Sequence, residues 1–180
     1  LPFPARHLLE NPNAYMPPDA IRLPVTPLMT SRGCPSHCTY CCTKHILGQK
    51  FRFRSVKNIA DEIEHVIDRY NVKEIHFMDD VFTFNKKRVL EFRDEVKRRD
   101  FDINFVFANG LRADQIDKEI LETFKDLNVI SIGCGVESGN QKILNNIRKG
   151  ILLDRVREAY KLAKEMGCQT WGFFIFGLPG

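Results

Sequence analysis

Cys34, Cys38 and Cys41 fall within eight positions, in the run Cys34-Pro-Ser-His-Cys-Thr-Tyr-Cys41, spaced Cys-x₃-Cys-x₂-Cys. Thiolates so close together hold metal. An iron–sulfur cubane has four irons, normally carried by four cysteine thiolates. Three close cysteines can hold three irons and leave the fourth open, and an open coordination position is where a metal does chemistry. The competing reading is zinc, with Cys42 or His45 completing a closed four-ligand structural site. Zinc ribbons draw their ligands from two separated cysteine pairs, and no second pair occurs here. Cys42 as a fourth cluster ligand would close the open iron and leave electron transfer only. Its adjacency to Cys41 works against that geometry, so it reads as a small buried residue or a nearby thiol.

The elements that must position these thiols follow from periodicity. Residues 1–24 carry six prolines and little periodicity, so they read as a linker or arm, and residues 25–180 as one core domain. Val25 to Thr30 is a strand ending at Ser31-Arg32-Gly33, just before the cysteine loop. Helices are expected from Ser55 to Tyr70, Asn85 to Arg98, Asp117 to Leu127, Gln141 to Ile147 and Leu153 to Met166. Strands are expected at Glu74–Met78, Ile103–Ala108, Val129–Val136 and Thr170–Phe176. Strands alternating with helices indicate an α/β fold with a parallel sheet. Right-handed crossovers then place every strand's C-terminal end on one rim, where ligands bind. Asp79-Asp80, Asn109-Gly110, Glu137-Ser138-Gly139 and Gly177-Leu178-Pro179-Gly180 all lie at such ends.

Bulk composition narrows the classes. With 180 residues and 43% hydrophobic content, the chain can build one domain with a real core. A net charge of +4 without a long Lys/Arg run gives no electrostatic case for nucleic acid. No apolar stretch approaches the roughly 20 residues of a membrane span, and no signal peptide is visible. Four of the six cysteines crowd between positions 34 and 42, which fits a metal site in a reducing compartment, hence the cytoplasm, better than a disulfide framework.

The cysteine spacing, placed after a first strand and before a βα series, resembles the radical SAM family over nearly the whole chain. That resemblance implies a partial (β/α)6 TIM-like barrel, here truncated after the fifth strand, and a [4Fe-4S] cluster with S-adenosylmethionine as cofactors. Cys34, Cys38 and Cys41 match the family's metal ligands. Tyr40 fills the aromatic position before the third cysteine, which lies over the adenine of the cofactor. Asp79-Asp80 stands where the family usually has a glycine-rich segment that receives the methionine amino group, and a carboxylate can accept charge-assisted bonds from an ammonium. Gly135-Val136-Glu137-Ser138-Gly139 looks like the ribose- and methionine-binding segment, with Glu137 accepting from ribose hydroxyls. Ile175-Phe176-Gly177-Leu178-Pro179-Gly180 looks like the adenine-binding strand, with Ile175 packing on the base.

A narrower resemblance rests on Leu1-Pro-Phe-Pro-Ala-Arg6, Thr30-Ser-Arg-Gly-Cys34-Pro35 and Phe77-Met-Asp-Asp-Val-Phe82. These look like the subgroup that carries an N-terminal cobalamin-binding domain, with the proline-rich arm as the end of its linker. The family chemistry implied is one-electron cleavage of the sulfur–C5′ bond to methionine and a 5′-deoxyadenosyl radical. Its cobalamin-dependent members commonly transfer a methyl group and some cyclise or rearrange their substrates instead, so the resemblance implies a radical SAM enzyme with methyltransferase activity as one outcome. A low-potential electron donor such as flavodoxin or ferredoxin is implied as partner; the substrate is left open. Two alternatives stay beside it: a radical SAM methylthiotransferase acting on tRNA or protein, and a non-enzymatic zinc module.

Plainer readings apply elsewhere. Asp79-Asp80 could merely end a strand, and Glu137 could cap the next helix. Cys134 and Cys168 read as core, His37 and His45 as solvated loop residues, and Phe77, Phe82 and Phe84 as core. Arg112 could meet the cofactor carboxylate or lie at the surface. The Arg148-Lys149 pair reads as a solvated turn.

Overall fold

The computed structural model describes residues 2–9, 17, 20–129 and 131–180; part of the expected arm, residues 10–16, 18 and 19, lies outside the described residues. In chain order the elements are β1 (Val25–Leu28), β2 (Ser31–Arg32), α1 (Thr43–Ile46), β3 (Arg52–Phe53), α2 (Val56–Tyr70), β4 (Glu74–Phe77), α3 (Lys86–Arg99), β5 (Asn104–Phe107), α4 (Lys118–Asp126), β6 (Ser131–Glu137), α5 (Gln141–Asn146), α6 (Leu153–Glu165) and β7 (Gln169–Phe174). β1, β4 and β5 pair in parallel, as do β6 and β7. The two sheets meet where Leu111, just past β5, donates its N–H to Gly133 O at 2.7 Å and accepts from Gly135 N at 3.2 Å. This is the expected parallel α/β architecture. Its described strands form a partial sheet rather than a closed barrel.

Helix boundaries follow from caps. Ser55, Asn85 and Asp117 each accept a bond from the backbone N–H three residues on, at 3.3, 3.1 and 2.9 Å. Each such cap stabilises its helix by about 1 kcal/mol. Asn71 and Asp100 end α2 and α3 in the left-handed region, at φ 51° and 54°. The apolar stripes face the sheet as their spacing requires: Ile59, Ile63 and Val66 of α2, Val89, Phe92 and Val96 of α3, Ile120, Leu121 and Phe124 of α4. Between helices and sheet lies an aromatic core. Phe77 stacks on Phe105 with centroids 5.3 Å apart, and Phe82, Phe92, Phe107 and Phe124 surround them. Phe84, expected in this core, is exposed; its ring meets Phe51 at 4.9 Å.

The arm is docked at two places. Arg6 is buried, pairs with Glu62 of α2 at 2.7 Å, and donates to Thr26 Oγ and Pro27 O, each at 3.0 Å. Glu62 also receives Arg54 at 2.5 Å. At the other end, fully buried Glu74 accepts the backbone N–H of Arg22 at 3.1 Å and the His76 ring at 2.8 Å. The Arg6–Glu62 ion pair and the hydrogen bonds beside it tie the arm to α2, β1 and β4.

Candidate active site on the sheet rim

The cysteine loop stands on a small stem. Ser31-Arg32 pairs antiparallel with Arg52-Phe53, and Cys34 N–H donates to Gly48 O at 3.2 Å. Gly33 makes the turn into the loop at φ +88°, and a Cβ there would lie 2.4 Å from Lys50 O and 2.9 Å from Gly48 O. Only glycine fits both the backbone angle and the space. Within the loop, Cys34, Cys38 and Cys41 line one cavity of about 30 Å³ with Ser36, Thr43 and Lys44. Cys42 and His45 are exposed and do not line it.

Three thiols line this cavity, and neither Cys42 nor His45 joins them to complete the four ligands of a closed zinc site. The donor set on the lining is the three-thiolate set that suits a cluster with one open iron. Burial pushes the Cys38 thiol up, opposed by the cations Lys149 and Arg112, which favour its thiolate.

The two rim carboxylates of β4 have different tasks. Asp79 is buried and turned back toward β1. It accepts from Thr30 N and Ser31 Oγ, each at 2.6 Å, and from Thr30 Oγ, and Arg88 lies 3.6 Å away. Arg88, also buried, donates to Thr30 Oγ at 2.9 Å; burial pushes its guanidinium down against the pull of Asp79. Asp79 thus fixes the base of the cysteine loop and has little capacity left for a ligand. Asp80 faces the loop instead. Its Oδ1 accepts from Thr43 Oγ at 3.2 Å, and its Oδ2 is buried without a partner among the described residues. A buried carboxylate oxygen without a donor is costly unless a ligand supplies one. Of the two candidates, Asp80 is the one bonded to a residue that lines the thiol cavity, Thr43.

Glu137 ends β6 at φ 67°, where a side chain is strained by about 1–3 kcal/mol. A register shift between Gly135 and Glu137 accompanies it. Ile175 N–H donates to Glu137 O at 2.9 Å, so these two expected cofactor residues are neighbours on the rim. Ser138 Oγ accepts from Asn140 N at 3.2 Å, at the start of α5, which leaves its O–H to donate.

Lys149 does not lie in a solvated turn. It is buried, and its ammonium donates to Glu137 Oε1 at 2.7 Å and to Tyr40 Oη at 3.1 Å. Tyr40 is 38% exposed. Desolvation of the rest, then the Glu137 carboxylate, pushes its phenol up. Arg112 is no free surface residue: it donates to Ser36 Oγ at 3.0 Å and Lys149 O at 3.2 Å, and pairs with Asp114 at 2.9 Å. The sequence offered one cue for Lys149, a charged pair followed by Gly150 between two helices, and that cue is shared by ordinary turns.

Comparison with known proteins agrees with this geometry. Residues 28–180 match the family described as Radical SAM superfamily. The chain is 33% identical, over 185 residues, to cytidylyl-2-hydroxyethylphosphonate methyltransferase of Streptomyces wedmorensis, covering 99% of this chain and 34% of that protein. It therefore spans about a third of the length of that relative. Among solved structures, the radical S-adenosylmethionine methyltransferase TsrM of Kitasatospora setae, with cobalamin and a [4Fe-4S] cluster bound, superposes with a TM-score of 0.77 at 17% identity, over 87% of this chain and 32% of that one. The cobalamin-dependent S-adenosylmethionine radical enzyme OxsB gives 0.71 at 26% identity, over 83% and 23%. The family match runs from the last residue of β1 through the cysteine loop to the end of the chain, so the chain belongs to the radical SAM superfamily of enzymes, whose cofactors are a [4Fe-4S] cluster and S-adenosylmethionine.

Proposed function

We propose that residues 25–180 are the core of a cobalamin-dependent radical SAM methyltransferase, with Cys34, Cys38 and Cys41 holding three irons of a [4Fe-4S] cluster. The observation that carries this is the shared thiol cavity, whose lining residue Thr43 is bonded to Asp80, a carboxylate with its Oδ2 unpartnered among the described residues. When bound, the reduced cluster supplies the electron that cleaves S-adenosylmethionine. The chain's own residues bind and orient. Asp80 accepts from the methionine ammonium of the cofactor. Glu137 receives the ribose hydroxyls through Oε2, because Oε1 is held by Lys149. Ile175 and Tyr40 flank the adenine. Asp79 serves the loop, not the cofactor; Ser138 accepts from Asn140 at the start of α5 and keeps its O–H for the cofactor.

Methyl transfer is favoured because the relative that matches over 99% of this chain, at 33% identity, carries that activity in its name. In this reading residues 1–24 lead from a cobalamin-binding domain, and residues 25–180 supply the first five strands of a six-stranded barrel. No helix among the described residues is long and apolar enough to cross a membrane. A cytoplasmic enzyme reduced by a flavodoxin or ferredoxin is the setting we infer. The test is anaerobic turnover of the reconstituted protein with S-adenosylmethionine and cobalamin. S-adenosylhomocysteine formed only when cobalamin is present supports methyl transfer; 5′-deoxyadenosine and methionine as sole products, with or without cobalamin, overturn it.

A further inference from the structure

The turn between α5 and α6 is tied to the cysteine loop by more bonds than a connection needs. Thr39 N–H donates to Ile147 O at 2.9 Å. Arg112 bridges Ser36 Oγ and the carbonyls of Lys149 and Gly150, at 3.0, 3.2 and 3.3 Å. Lys149 spans Tyr40 in the loop and Glu137 on β6. The space for this ion pair exists because residue 135 has no side chain: a Cβ there would lie 2.6 Å from Glu137 Oε1 and 2.9 Å from Lys149 Nζ. Gly135 is not at positive φ, so space is the constraint at this position.

We propose that Lys149 is a positioning residue, a latch that fixes the cysteine loop to the end of β6 and sets Glu137 for its ligand. A buried ammonium is costly to desolvate and is kept only with good partners. Here its two partners belong to the two segments that must meet around one cofactor. Holding Glu137 Oε1 fixes the carboxylate beside a cation and leaves Oε2 to accept from a ligand. Without Lys149, Glu137 sits buried and unpaired in a strained backbone, and the loop loses its side-chain tie to β6. The loop consequence stands on the metal-free protein; the ligand consequence rests on the radical SAM reading above.

The experiment has two readouts on the parent and on Lys149→Met, Lys149→Arg and Gly135→Ala. Hydrogen exchange of the metal-free protein reads the latch at the Thr39 amide. Equilibrium binding of S-adenosylmethionine to the reconstituted protein, with iron content measured alongside, reads Glu137. Lys149→Met is expected to speed Thr39 exchange about tenfold or more and to weaken cofactor binding about tenfold, with iron content unchanged. Lys149→Arg restores most of both, and Gly135→Ala, which crowds the pair without removing charge, weakens binding similarly. Unchanged exchange and binding in Lys149→Met overturns the proposal. If Lys149→Met does not fold, Gly135→Ala decides by the same criteria. A parent that binds no cofactor, while Lys149→Met still frees Thr39, would defeat the functional reading and leave the latch standing.

Discussion

Replacing Asp79 and Asp80 separately should give opposite phenotypes. Asp79 accepts three bonds from Thr30 and Ser31 and faces Arg88, all buried. Removing one partner of a buried charge pair costs about 3–5 kcal/mol, because the other is left uncompensated. The three hydrogen bonds are part of the same network, so their loss is counted within that range rather than added to it. For a domain of this size the melting midpoint should fall by about 6–20 °C in Asp79→Ala. The loop base should open with it, lowering iron uptake. Asp80 gives up one bond, to Thr43, and frees an oxygen that has no partner among the described residues. Asp80→Ala should therefore melt within about 1 kcal/mol of the parent. Its loss appears in the ligand: a charge-assisted bond is worth about 1.5–3 kcal/mol, so S-adenosylmethionine should bind about 10- to 100-fold more weakly. Anaerobic thermal melts and equilibrium binding on both variants check this. Asp79→Ala melting like the parent while losing cofactor affinity would refute the division of roles.

Two further outcomes follow from the structure. Gly33→Ala should cost about 2 kcal/mol or more and sharply reduce iron loading, since its Cβ would meet the Lys50 and Gly48 carbonyls and the φ of +88° is disfavoured with a side chain; iron analysis after reconstitution reads it. Arg98, with Arg99, holds the Glu95 carboxyl down at about 2. A depressed carboxyl stabilises the fold above its unfolded pKa and ceases to as pH falls through the folded value. Glu95→Gln should thus lower the melting midpoint at pH 7, with the deficit shrinking below pH ~4.5 and gone near pH ~2; a deficit that is the same at both ends would be contrary.

The long helices and parallel strands were legible because their apolar residues recur at helical or strand spacing and Ser55, Asn85 and Asp117 announce helix starts. The three thiols were legible as a group because their spacing is itself the signal. The stem under the loop was not: two-residue strands such as Ser31–Arg32 have no period to read. Nor was the division between Asp79 and Asp80, because neighbours in extended chain point opposite ways and nothing in the sequence says which way is inward. Arg6, in a proline-rich segment read as a linker, proved to be anchored by a partner 56 positions away, Glu62. Lys149 was hidden by the same long-range logic. A charged pair between helices reads as solvated until the fold places Tyr40 and Glu137 around it.

The central claim is an open-iron site on Cys34, Cys38 and Cys41. Its most direct test is electron paramagnetic resonance of the anaerobically reconstituted, dithionite-reduced protein, with and without S-adenosylmethionine, beside Cys34→Ala. The account predicts a reduced [4Fe-4S] signal that changes when the cofactor is added and is lost in the variant. A protein that assembles no cluster and instead binds one zinc tightly through these cysteines would contradict it.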